Sequence, residues 1–326
     1  MLFIHSSDNH PYFNLAAEEY LLSNTDEEVF MLWRSDPVVV VGKHQNTLAE
    51  INYAYVRAHN IAIARRLTGG GTVYHDQGNI NFTFIRNGEP GKLIDFNTHL
   101  APVTGFLNKQ GIEAVQGPKH EILVQGKKIS GNAEHIYRNR ILHHGTLLYH
   151  ADLDTLRETI KPGGGRYIDR AVQSNRSSVM NLAGCMSPAP DIQVFCELFM
   201  QEIRLRFSGE IYSLGKPERL AIQKLAEEKY GSWEWIFGWS PDYEYHYECK
   251  SPDTVINIVL STHKGIITGC RLTSDRFPEG TLDKLAAGLV NTPHQEHNIR
   301  SRLKDYKLDR NTGQEDFEKL VFSFFT

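Results

Sequence analysis

The chain has 326 residues, 40% of them hydrophobic and 23% charged, with a formal net charge of -4 and a pI near 6.4. That length exceeds one typical domain and can bury a full core, so two domains are expected, and the mildly acidic balance gives no overall basic field of the kind that nucleic-acid binding uses. No apolar run approaches membrane-spanning length, and the opening MLFIHSSDNH lacks a basic segment followed by a long apolar one, so a cytoplasmic protein working without membrane or nucleic acid is expected.

In chain order, helical periodicity runs over residues 14–22 and 47–60, with the strand-like runs VFMLW and VVVV between them. The stretch RRLTGGGTVYHDQGNINFTF, residues 65–84, follows. Gly69, Gly70 and Gly71 can adopt backbone conformations closed to other residues, so their N–H groups can converge on an anion. Arg65 and Arg66 add permanent positive charge beside that cradle. A triglycine is more often a turn, and this one is neither a P-loop nor a GxGxxG. Its sequel is what raises its interest, because Val73 and Tyr74, then Ile80, Phe82 and Phe84, read as two strands around the turn His75–Gly78.

Residues 95–109 again read as a helix. QGKKISGNAEH (125–135) and HHGTLLYHADL (143–153) read as strands punctuated by glycine, and on a strand Lys127 and Lys128 point to opposite faces, so one of them at most faces a pocket. The glycine cluster KPGGGRY, 161–167, is expected to be a mobile surface loop, with a lid as the alternative. Residues 190–207 place Ile192, Phe195, Cys196, Phe199 and Ile203 on one helical face, which makes Cys196 a core residue. Trp239-Ser240-Pro241-Asp242 is a turn-rich junction. Beyond it two strands flank a Lys264-Gly265 turn, and helices follow over 281–290, 294–305 and 315–325.

Four separated cysteines, Cys185, Cys196, Cys249 and Cys270, argue against a cysteine zinc site and a disulfide framework. His143, His144 and His150 have no cysteine partner and only Asp152 as a carboxylate close by in sequence, and they read as strand positions, with His144 lining a pocket. Mixed strands and helices with hairpins near the motifs point to an α+β or mixed α/β architecture.

RRLTGGGTVYHD with GNINF, then GKKISGNA, then HHGTLLY, in this order, resembles the lipoate-protein ligase A family, related in fold to biotin-protein ligases. The resemblance implies an α+β chain: a large mixed-sheet catalytic domain of the biotin/lipoate ligase type over residues 1–240, and a smaller α+β accessory domain over 241–326. It implies ATP-dependent activation of lipoate to lipoyl-adenylate with Mg2+, then transfer to a lysine of lipoyl carrier domains, those of 2-oxoacid dehydrogenase E2 subunits and of glycine cleavage H protein. Carried over residue by residue, Arg66, Gly71, Thr72, Val73 and Tyr74 contact ATP, and Lys128 contacts both ATP and lipoate. Gly70, Gly71 and His144 complete the lipoate site. The expected apolar lining is Val40, Val41, Gly42, Leu67 and Phe84.

The chain departs from the family pattern at His120-Glu121-Ile122, where Asn-Asp-Ile is common, and at Ser178, often arginine. Glu121 is the candidate metal ligand. Two alternatives follow. One is a lipoyl or octanoyl transferase without activation, which needs a reactive cysteine, with Cys185 the candidate. The other is a non-catalytic lipoyl-adenylate-binding protein.

Overall fold

β-Branched and aromatic runs form the expected strands, with VFMLW as Val29–Trp33 and VVVV as Val38–Val41, both buried throughout. The computed structural model describes residues 1–88, 94–161, 163–251, 254–275, 279–306 and 314–326. The chain divides into two compact units, each α+β: Met1–Lys43, Ala64–Leu156 and Asn175–Gly231 in one, His44–Ile63, Arg157–Ser174 and Ser232–Thr326 in the other.

The first unit is built on a six-stranded sheet. Its spatial order is Asn132–Tyr137, Arg140–Leu148, Asn79–Asn87, Val29–Trp33, Leu2–His5 and Glu210–Ile211. The first three pairings are antiparallel and the last two parallel, which makes the sheet mixed. Both faces are covered. On one, Phe30, Leu32, Phe82 and Phe84 pack with Leu100, Val103, Phe106 and Leu107 of the helix Phe96–Lys109 and with Phe195, Cys196, Phe199 and Ile203 of the helix Ile192–Arg206. On the other lies the helix Pro11–Asn24, which buries Leu15, Glu18, Leu21 and Leu22. Cys196 is therefore in the core, and burial pushes its thiol up to about 11.

Local chemistry sets the ends of these elements. Asp95 accepts from Thr98 N–H and caps the helix that follows it. The 47–60 region forms two short helices, Thr47–Glu50 and Tyr53–Ala58, because Asn52 accepts from Tyr55 N–H and starts the second one afresh. Strands flank the HDQG turn, but they join different sheets: Val73–His75 pairs with Val38–Val41, whereas Asn79–Asn87 lies in the six-stranded sheet. The turn is pinned at Gly78, where a Cβ would lie 2.1 Å from the His150 carbonyl oxygen. A separate three-stranded meander, Ala114–Gln116, Ile122–Val124 and Lys127–Ser130, carries the lysine pair. Its second turn uses Gln125 (φ 52°) and Gly126 (φ 73°), both left-handed, as tight hairpins require.

In the second unit, Arg166–Asp169, Tyr243–Ser251, Thr254–His263 and Ile266–Ser274 form an antiparallel sheet, with Lys264 (φ 49°) and Gly265 (φ 73°) making the expected turn. Helices Glu279–Leu289, Glu296–Asp305 and Gln314–Phe322 belong to the same unit. Apart from Pro162, which lies outside the described residues, the glycine cluster 161–167 packs on the chain end: a Cβ on Gly163 or Gly165 would meet Thr326 backbone atoms at 2.4 and 1.9 Å. Arg166 and Tyr167 then enter the sheet, so this stretch is sheet-anchored rather than a free surface loop. Among the described residues, no helix is long and apolar enough to cross a membrane.

The core prediction concerns Phe199, whose buried ring stacks on Phe106 at 4.8 Å and meets Phe30 edge-on at 5.6 Å. Phe199→Ala is expected to cost about 3–5 kcal/mol by denaturant titration. Leu205→Ala, at a position 85% exposed on the same helix, should stay within about 0.5 kcal/mol.

Candidate active site

The glycine loop is organised by Arg66. This side chain is buried and donates from Nη2 to the carbonyls of Gly69 (2.6 Å) and Gly71 (2.8 Å), from Nη1 to Val40 O (3.3 Å) and from Nε to Thr68 Oγ1 (2.9 Å). Burial lowers its pKa to about 10, so it stays charged at neutral pH. The guanidinium is thus committed to the protein rather than held out for a phosphate. Because a trans peptide sets C=O and the next N–H antiparallel, drawing the Gly69 and Gly71 oxygens toward Arg66 turns the Gly70 and Thr72 N–H groups the other way. Gly70 sits at φ +88°, and Gly42 packs so close that a Cβ there would lie 2.1 Å from Gly70 O. Arg65 is likewise buried and donates to the carbonyls of Gly42 and Lys43, tying the loop to the end of VVVV.

His144 extends this network. Cross-strand register places it beside Thr83, and the two-residue period turns both toward Glu18 on the helix Pro11–Asn24. Glu18 accepts from Thr83 Oγ1 (2.5 Å), and its oxygens lie 3.1 and 3.0 Å from His144 Nδ1. His144 Nε2 is 2.8 Å from Thr68 Oγ1, and Trp33 Nε1 donates to Thr83 at 3.3 Å. One assignment satisfies every member: Arg66 Nε–H to Thr68, Thr68 O–H to His144 Nε2, His144 Nδ1–H to Glu18. His75 lies nearby, buried, with neither ring nitrogen bonded among the described residues, and burial first and Arg66 second press it down to about 3. Its ring meets Trp33 edge-on at 5.7 Å.

Lys128 approaches from the meander. Lys127 is exposed and Lys128 only partly so, and the Lys128 backbone is bridged by Ser178 O and Met180 N. Burial chiefly lowers the pKa of its ammonium; Glu121 raises it, and Arg66 and Lys119 lower it again. Gly131 leaves room for the amine, since a Cβ there would come within 3.1 Å of Lys128 Nζ. Thr72 and Tyr74 are buried and Val73 partly so, with Val73 and Tyr74 in register with Val40 and Val39.

Glu121 Oε2 accepts from Lys119 N–H (2.7 Å) and its carbonyl from Gly117 N–H, which closes the turn preceding the meander's second strand. His120 takes the left-handed position of that turn (φ 61°) and stacks on Phe96 at 3.8 Å. Of the expected apolar lining, Phe84 belongs to the core, between Phe30 and Phe82. His143 faces away from His144, and His150 is exposed, so the three neighbouring histidines form no common site. Cys185 packs against the main core, only partly exposed, rather than standing free on a loop.

Reading the sequence missed Glu18, Thr68, Thr83 and His75. For Glu18 a signal existed, because it shares the helical face of Leu15 and Leu22, where a carboxylate has no reason to be unless it bonds something buried.

Residues 10–204 match the family model for the lipoyl protein ligase A/B catalytic domain, and residues 240–322 that for the bacterial lipoate protein ligase C-terminus. Lipoate–protein ligase 1 of Staphylococcus aureus is 33% identical over 313 residues, covering 95% of both chains, and lipoate-protein ligase LplJ of Bacillus subtilis is 31% identical over 331 residues, covering 99% of this chain and all of the relative. Among solved structures, P. falciparum LipL1 in complex with lipoate superposes with a TM-score of 0.64 at 22% identity, covering 98% of each chain. A lipoate-protein ligase A bound with ATP gives 0.62 at 25% identity, covering 73% of this chain and 98% of that one. A bi-partite lipoate protein ligase from Thermoplasma acidophilum, studied with its E2 lipoyl domain, gives 0.61 at 23%, covering 73% and 96%. With its catalytic-domain match spanning more than half its length and a relative above 30% identity along nearly all of it, this chain belongs to the lipoate-protein ligases.

Proposed function

We propose that this ligase activates lipoate with ATP to lipoyl-adenylate and passes the lipoyl group to a lysine ε-amine on a lipoyl carrier domain, of the kind found in 2-oxoacid dehydrogenase E2 subunits and glycine cleavage H protein. The observation that carries this reading is the glycine loop ordered by the buried Arg66, whose guanidinium draws the Gly69 and Gly71 carbonyls to itself. A carboxylate and a triphosphate repel each other, and their reaction needs fixed donors where negative charge gathers.

In the first step a lipoate carboxylate oxygen attacks the α-phosphorus and pyrophosphate leaves. Gly70, Gly71 and Thr72 supply backbone N–H groups, Val73 and Tyr74 flank the nucleotide, and Lys128 bridges the two anions. Arg66 acts by bracing the loop, with its charge felt at short range. The lipoyl chain lies beside Gly70, Gly71 and His144. In the second step the carrier's neutral amine attacks the acyl carbonyl and AMP departs. Lys128 stabilises the oxyanion and disfavours a second ammonium beside it. Glu121 is the carboxylate near Lys128, and with one oxygen committed to Lys119 N–H it does not by itself make a magnesium site. Mg2+ would enter on the nucleotide's phosphates.

The catalytic work is assigned to residues 1–240, with 241–326 as an accessory domain, acting in the cytoplasm, where ATP and carriers are available. The likeness to the T. acidophilum ligase, whose partner is an E2 lipoyl domain, supports the class of carrier. A thioester-forming transferase is disfavoured by the packing of Cys185 against the core.

Lipoate-dependent exchange of labelled pyrophosphate into ATP tests the activation step. It should be present in the wild type and in Cys185→Ser; its absence alongside transfer from synthetic lipoyl-adenylate would overturn the ligase mechanism in favour of transfer alone. Lys128→Ala should lower the exchange rate by about 10²–10³, with Lys127→Ala close to wild type, and equal losses in folded proteins would contradict the role given to Lys128. Gly42→Ala forces the Gly70 carbonyl to move and should slow exchange about 10²-fold with circular dichroism unchanged.

A further inference from the structure

On the face of Arg140–Leu148 opposite His144, His143 meets His99 of the helix Phe96–Lys109 and Glu134 of the neighbouring strand Asn132–Tyr137. The Nδ1 atoms of His143 and His99 lie 2.9 and 3.0 Å from one carboxylate oxygen, Glu134 Oε1, and the three donor atoms fall within 4.8 Å of one another. The main-chain oxygen of Asp95 is 3.0 Å from His99 Nδ1. All three side chains are at most 3% exposed.

Two features of this trio call for a cation. Glu134 is a buried carboxylate with no Lys or Arg ion pair among the described residues, and its Oε2 has no partner. An uncompensated buried charge is costly. The second feature is the set of unused ring nitrogens. Among the described residues His99 Nε2 and His143 Nε2 also have no partner, and the rings of Phe82, Phe84 and Phe96 surround the pair. Without an ion each Nδ1 carries the proton it gives to Glu134 Oε1, and His99 Nδ1–H faces the Asp95 carbonyl as well, so the carboxylate is held by two neutral donors and its charge is not cancelled. A positive ion would take the two Nδ1 lone pairs as ligands, with the ring protons moving to Nε2, and would cancel that charge.

We propose that His99, His143 and Glu134 form a binding site for one divalent transition-metal ion, with Zn2+ the best chemical match. Two imidazoles and a carboxylate are a zinc donor set, and Glu134 Oε2 and the Asp95 carbonyl are at hand for a fourth position. The ion would fasten the helix Phe96–Lys109 to the strand whose next residue, His144, belongs to the candidate active site. This site is separate from the ligase chemistry and does not depend on it.

The test uses the full chain, freed of metal with EDTA and desalted, then given one equivalent of Zn2+ or Co2+. The expected result is one zinc retained per chain after gel filtration, a higher midpoint of thermal unfolding with Zn2+, and a visible d–d band with Co2+. Glu134→Gln keeps the shape and removes the charge, and with circular dichroism confirming its fold it should lose all three signals. Failure of the wild type to retain zinc or to develop the cobalt band overturns the proposal without reference to any variant. Retention undiminished in both Glu134→Gln and His143→Phe overturns it as well, since the ion would then sit on surface histidines and the buried trio would be bridged by protons alone.

Discussion

The arrangement of the candidate site depends on a single buried guanidinium. Arg66 joins the end of the Val38–Val41 strand, through Val40 O, to the glycine loop, through Gly69 O and Gly71 O, and to the polar network, through Thr68. Burying such a charge is unfavourable unless its donors are matched, and matching them requires carbonyls at fixed positions. The need to satisfy Arg66 is therefore what orients the loop, and the orientation of the loop is what turns the Gly70 and Thr72 amides away from the guanidinium. The glycines contribute permission rather than instruction: Gly70 allows the left-handed turn, and Gly42 allows the neighbouring backbone to touch it.

The six-stranded sheet serves two purposes through its two faces. Successive residues of Arg140–Leu148 point to opposite sides, so adjacent histidines enter unrelated environments. His144 joins Glu18, Thr83 and Thr68, and His143 joins His99 and Glu134. Both groups are largely buried, which strengthens each hydrogen bond and raises the cost of leaving one unmade. Gly145, next in line, admits the Asn132 side chain and the Phe82 ring into space that a Cβ would occupy at 2.0 and 2.4 Å. The HHG triplet thus encodes polar placement above, polar placement below, and close packing.

The division between units follows contacts rather than sequence order. Segments His44–Ile63 and Arg157–Ser174 group with the C-terminal residues. The reasons are local and polar: Tyr53 and Arg57 both reach Glu296, Asn46 donates to Asp169, and Glu50 accepts from Ser174. None of these partners is near its mate in sequence, and each pair is chemically ordinary, so nothing in the residue order announces them.

The sequence by itself determined the periodic and the conformationally special features. Continuous apolar runs identified VFMLW and VVVV, the apolar stripe of Phe195, Cys196, Phe199 and Ile203 identified a helix, the Lys264-Gly265 pair identified a hairpin turn, and the order of the glycine, KKISG and HHG motifs identified the family. Those properties reside in short windows, where spacing alone fixes what can be buried. Tertiary structure decided everything that depends on residues distant in the chain meeting: that Arg66 faces carbonyls, that Glu18 meets His144 and Thr83, that the strands around HDQG join different sheets, that Phe84 belongs to the core, and that Cys185 is packed rather than free. The physical reason is that a side chain's role is set by which desolvated partners it must satisfy, and in a chain of this length those partners are supplied by other elements.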